Sequence, residues 1–170
     1  MNQNQKNASG LAWLLLSLVI FIIDISSKFL IHNNFRLYES INVLPFFSIT
    51  YAQNIGAAFS ILEGQRTFLA AIAIIISSYI TYVLYKNGNH KKSESFALAL
   101  ILGGAIGNLF DRLYHGFVID FLDVSFGSWH YPTFNFADCA ICLGIAIYIF
   151  ITVRFKNRDK SGDNDESHSC

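Results

Sequence analysis

The most regular feature of the chain is the absence of charge over long stretches. Leu11–Ile23, Thr67–Tyr85, Ser95–Phe110 and Cys139–Val153 contain no Asp, Glu, Lys or Arg. A helix needs about 20 mostly apolar residues to cross a bilayer. Thr67–Tyr85 meets that requirement unaided. The other runs meet it once Asp24 and Lys28, Asp111 and Arg112, or Asp138 are admitted at their ends. Helices of a soluble bundle keep a polar face, and these have almost none. The pattern predicts a membrane all-α fold with four transmembrane helices at about 11–31, 67–85, 95–112 and 137–154. They form a single domain over 1–160, with a disordered polar tail at 161–170. The first run reads as a retained span, because no small-residue cleavage site follows it and Asp24 and Lys28 interrupt its end.

The connections differ in character. Between spans two and three lie Lys86, Lys91 and Lys92, and after span four come Arg154, Lys156, Arg158 and Lys160. The stretch between spans one and two has only Arg36 and Arg66, and 113–136 has no Lys or Arg. Basic loops stay on the cytoplasmic side, so both termini and the middle loop are expected there, with the two long connections facing outward. The first of these, INVLPFFSITYAQNIGAAFS over 41–60, begins with β-branched and aromatic residues and is bounded by Pro45, Asn54 and Gly56. It predicts a small extracytoplasmic β-rich segment between spans one and two. The second carries Trp129, Tyr131 and Phe134, residues suited to a membrane interface.

Composition narrows the function classes. Charged residues make up 14% of the chain, against about a quarter in soluble domains. Twelve Lys and Arg balance twelve Asp and Glu, so the basic stripe that nucleic acid requires is missing. Cys139 and Cys142 lie three apart within span four and are expected to pack as small apolar residues. A metal site would need further Cys or His partners nearby.

Against this background the few membrane-adjacent ionisable residues stand out, because such residues are costly and point to function. Asp24 and Lys28 are four apart, share a helix face and can neutralise each other. Gly103 and Gly107 form a small-xxx-small step for close helix approach. Gly104, Asn108 and Arg112 stack along one face of span three. Asp120, in FVIDFLDV, and Asp138, in FNFADCAI, are flanked by apolar residues. Burial raises carboxyl pKa values, and two carboxyls brought together share a proton, which suits the acid and base roles of peptide hydrolysis. Spacing alone does not bring these two together. On the acids alone a proton-coupled transporter stands equal, and a non-catalytic assembly factor is a third reading.

The motifs as an ordered set go further. Asp24 with Lys28, Asn54-Ile55-Gly56-Ala57-Ala58-Phe59, Gly103 through Arg112, Val118-Ile119-Asp120-Phe121 and Phe134-Asn135-Phe136-Ala137-Asp138 together resemble the lipoprotein signal peptidase (type II signal peptidase) family. The resemblance implies an integral inner-membrane aspartic endopeptidase that cleaves a prolipoprotein just before its diacylglyceryl-modified Cys and releases the signal peptide. It implies Asp120 and Asp138 as the catalytic dyad. Asn54, Gly56, Asn108, Arg112 and Asn135 would line the site and hold substrate, and Asp24 and Lys28 would support the fold around it. It implies no metal or organic cofactor. The partners expected are the lipidated prolipoprotein and membrane lipids, and four spans suffice for a monomer.

Overall fold

The computed structural model describes residues 10–56, 64–87, 91–127 and 129–166, with side chains as far as Arg154. Each uncharged run is a helix. A short 3-10 turn, Gly10–Trp13, leads into α1 (Leu14–Asn34), and α2 (Arg66–Asn87), α3 (Lys92–Tyr114) and α4 (Phe136–Glu166) follow. All four are long and apolar enough to cross a membrane, in α4 over Phe136–Arg154. The α4 backbone runs helical past the expected span end, through Glu166. Extending an existing helix avoids the cost of a new nucleus. Of the tail at 161–170, residues 167–170 lie outside the described ones.

The helices turn unusual amounts of apolar surface outward, with Leu15 at 68% and Ile75 at 66% exposure. Water penalises such surface and lipid does not. Cys139 and Cys142, expected to pack as small apolar residues, are exposed on α4, on surface that hydrocarbon can cover.

Helix α3 is the hub, packing on α4, α1 and α2. Its glycines explain the close approach. A Cβ on Gly103 would strike the Ser17 carbonyl and Ile20 of α1, and one on Gly104 would strike the Ala137 carbonyl of α4. Without association driven by water, membrane helices hold together through such close packing. Ile80, Leu84, Leu98 and Leu102 fill the α2–α3 contact.

The two long connections build one antiparallel four-stranded sheet, β1 (Ser40–Leu44), β2 (Phe47–Asn54), β3 (Val118–Phe126) and β4 (Trp129–His130), in that spatial order. The β-rich segment between the first two helices is as expected, but half of the sheet comes from the connection between α3 and α4. Strand β3 shows no alternation because its first six residues are buried on both faces, as in a strand covered from both sides. Ile31 of α1, Tyr51 of β2, and Ile119, Phe121 and Leu122 of β3 form the core that fixes the sheet to the helices.

Candidate active site

Strand pairing delivers the first carboxyl. In the β2–β3 register Ala52 faces Asp120 and Asn54 faces Val118, so the Asn54 side chain reaches back and its Nδ2 donates to Asp120 Oδ2 at 3.1 Å. Beyond β4 the chain returns along β3. The Phe134 N–H donates to the Leu122 carbonyl at 3.1 Å, and the Phe134 carbonyl accepts from Leu122 N–H at 2.8 Å. That return sets Asn135 beside Asp120, with Asn135 Nδ2 donating to Asp120 Oδ1 at 2.6 Å.

The start of α4 delivers the second carboxyl. Asn135 immediately precedes the helix. Its Oδ1 accepts the Asp138 N–H at 2.9 Å, and Asp138 Oδ2 accepts the Asn135 N–H at 3.2 Å. This is a reciprocal capping box, with two otherwise orphaned N–H groups satisfied by side chains three residues apart. It locks the Asp138 carboxyl at a helix N-terminus, where the macrodipole favours the anion. The 18 positions between Asp120 and Asp138 are thus bridged by one buried residue, Asn135, which bonds to both acids.

Asn108 of α3 closes the network. Its Nδ2 donates to Asp138 Oδ1 at 2.8 Å, and its Oδ1 accepts from Asn135 Nδ2 at 3.2 Å and from Lys28 Nζ at 3.0 Å. A lysine ammonium can only donate, so Lys28 holds the amide oxygen toward itself and turns the NH₂ group toward Asp138. One turn on, Arg112 donates to the Asn108 carbonyl at 3.2 Å and to the Gly56 carbonyl at 2.9 Å. Gly56 N–H in turn donates to Asn54 Oδ1 at 2.9 Å. Asn54, Gly56, Asn108, Arg112 and Asn135 therefore form one ring around the two acids. Ala57, Ala58 and Phe59 of the Asn54 motif lie outside the described residues. Phe121 and Phe136, the neighbours of Asp120 and Asn135 in the chain, meet edge to face with centroids 5.5 Å apart. Burial, with repulsion from Asp138 added, pushes the Asp120 carboxyl up to about 7 despite its two amide donors.

Asp24 and Lys28 pair at 2.7 Å, both fully buried. The pair has a third member that the spacing did not reveal: Asp111 Oδ2 lies 3.0 Å from Lys28 Nζ and accepts the Ile119 N–H at 3.1 Å. Asp24 Oδ1 accepts the Ala137 N–H at 2.8 Å. The triad thereby ties α1 to α3, to the strand carrying Asp120 and to the helix carrying Asp138. Asp111 was visible in the sequence as an acid at a helix end. Only its long-range partners show what it does.

This constellation has relatives. Residues 16–154 match the family model described as signal peptidase (SPase) II. The chain belongs to the signal peptidase II family. A lipoprotein signal peptidase of Actinobacillus succinogenes is 49% identical over 162 residues, covering 93% of this chain and 98% of that protein. One from Photorhabdus laumondii is 53% identical, covering 84% and 87%. A solved bacterial membrane enzyme superposes with a TM-score of 0.81 at 31% identity, covering 86% of this chain and 90% of its own. The fold of this signal peptidase II family member is that of a multi-pass membrane protein, and the family is one of membrane aspartic proteases.

Proposed function

We propose that this chain removes the signal peptide from diacylglyceryl-modified prolipoproteins, cleaving before the lipid-bearing Cys, with Asp120 and Asp138 as its catalytic dyad. The observation that carries the reading is the Asn135 bridge. Two carboxyls from different elements are held by one buried asparagine, Asp120 by its side-chain amide and Asp138 by its backbone N–H, and among the described residues neither forms an ion pair. Acids held by neutral donors keep their proton chemistry available, whereas a cation would quench it.

The environments divide the roles. Asp138, at a helix N-terminus and receiving two N–H donors, serves as the general base. Asp120, buried and with its pKa raised by that burial, holds the proton. Asp138 takes a proton from a water as its oxygen attacks the scissile carbonyl, and Asp120 protonates the carbonyl oxygen. The tetrahedral intermediate then collapses: its hydroxyl returns a proton to Asp120, and Asp138 passes its proton to the departing amine of the Cys. Asn54 and the Gly56 backbone are placed to bind the extended peptide, with Arg112 holding that segment. Asp24 and Lys28 support the site through the buried triad.

The basic residues at 86–92 and 154–160 favour cytoplasmic termini and a site at the outer face of a bacterial inner membrane. There a lipid-anchored substrate presents its scissile bond while its acyl chains stay in hydrocarbon. The enzyme acts as a monomer without a cofactor. Incubating purified protein in detergent with a diacylglyceryl lipobox peptide tests the assignment. Cleavage before the modified Cys is expected, with loss of turnover for the unlipidated peptide, and a folded sample that cleaves neither peptide overturns it.

A further inference from the structure

At the opposite end of the bundle from the acids, roughly 25–30 Å along α3 and α4, lies a cavity of about 600 Å³ open to the side. That size is in the range of small-molecule sites, roughly 300–1,000 Å³. Its walls are Trp13, Phe96, Ile147 and Phe150, and its rim carries Lys92 and Arg154. Trp13 meets Phe96 edge to face at 6.2 Å. The neighbouring Lys91 is neutralised by Glu94 at 3.1 Å, but among the described residues neither Lys92 nor Arg154 forms an ion pair. An apolar groove that ends in two cations from different helices, neither of them ion-paired among the described residues, is complementary to a molecule with hydrocarbon at one end and an anion at the other.

We infer that this groove binds an anionic phospholipid, its phosphate between Lys92 and Arg154 and an acyl chain against Phe96, Ile147 and Phe150. Basic pockets between helices at the cytoplasmic side select such headgroups. Charge argues against two competing occupants. A symmetric second copy would set the same cations against each other. The segment 1–9 carries only Lys6 as a charged side chain and brings no anion. The site is independent of the dyad and of the proposed reaction.

Trp13 reports on it directly, since Trp13 and Trp129 are the only tryptophans. In a full-length Trp129→Phe protein reconstituted into bilayers, brominated phosphatidylglycerol and brominated phosphatidylcholine are compared as quenchers at equal mole fraction. Quenching of Trp13 by the anionic lipid should indicate a local enrichment on the order of threefold or more. Lys92→Gln with Arg154→Gln should abolish that preference, and Lys86→Gln should leave it. Equal quenching by the two lipids, a preference that survives the double variant, or no quenching at all overturns the inference. So does a preference that emerges only on truncation after Lys160, which would give the cations to the acidic tail.

Discussion

Two pairs of carboxyls, with Asp24, Asp111 and Asp120 buried and Asp138 half-buried, are built on opposite rules. Asp24 and Asp111 share Lys28, whose ammonium pairs with both carboxyls and donates to Asn108. Asp120 and Asp138 share only amides, Asn54, Asn108 and Asn135. A buried charge without a partner is expensive, so a cation between acids compensates their charge and works as a clamp. Amides orient acids without fixing their charge, so one of the pair must hold a proton. The first arrangement joins elements and the second is poised to react. They touch at a single residue, Asn108, which accepts from Lys28 and donates to Asp138.

The comparison breaks most sharply on activity. Asp138→Asn or Asp120→Asn keeps the shape of the site but exchanges one accepting oxygen for an NH₂ and removes its proton transfer. Cleavage of a lipidated lipobox peptide should fall roughly 10⁴-fold, with a cooperative thermal unfolding transition retained in detergent. A variant that retains turnover removes that residue from the mechanism.

The clamp should respond in the reverse sense. Lys28→Met leaves two buried carboxylates facing each other, and stripping one partner from a buried ionic group costs about 3–5 kcal/mol. The unfolding midpoint should drop accordingly. Neutralising the whole triad, as Asp24→Asn, Lys28→Met and Asp111→Asn together, should recover most of that loss. A triple variant no more stable than the single one would show that the triad contributes more than charge compensation.

Asn108→Leu tests whether the two clusters are coupled. It removes the amide that Lys28 orients and that steadies Asp138. Both readouts should move: stability by about 1–3 kcal/mol, for the partners left unsatisfied, and kcat/KM by on the order of 10²-fold, for a misplaced base. A change in stability alone would separate the clamp from the chemistry.

Much of this was legible in the sequence, for reasons specific to each element. The spans declare themselves because lipid tolerates no charge, and Thr67–Tyr85 needs no tertiary information. Asp120 and Asp138 were visible as acids among apolar residues. Strand β3 was not, because burial on both faces erases the period-two signal. The Asn135–Asp138 capping box lies in the sequence as Asn-Phe-Ala-Asp, a three-residue spacing that marks a helix start. Its second role, holding Asp120, depends on Phe134 pairing with Leu122, a contact that no local pattern encodes. The role of Asp111 stayed hidden for the same reason, since its partners come from α1 and β3.

The smallest effect is also the one that most directly separates the two pairs, because it rests on pH. Asp120 is raised from 3.8 to about 7, so the folded state binds this proton more tightly than the unfolded chain. Stability from this group is therefore greatest below the ordinary Asp value, declines as pH rises from about 4 to about 7, and is level above that. Asp120→Asn should remove that decline, so the variant should gain on the parent across this window in thermal unfolding scans. Activity should follow the same group. With protonated Asp120 as the acid, kcat/KM should descend above about 7 and be lower by about tenfold one pH unit beyond it. A profile flat to pH 9 would mean that the proton is held elsewhere, and the contrast between a clamped pair and a proton-sharing pair would fail at its central point.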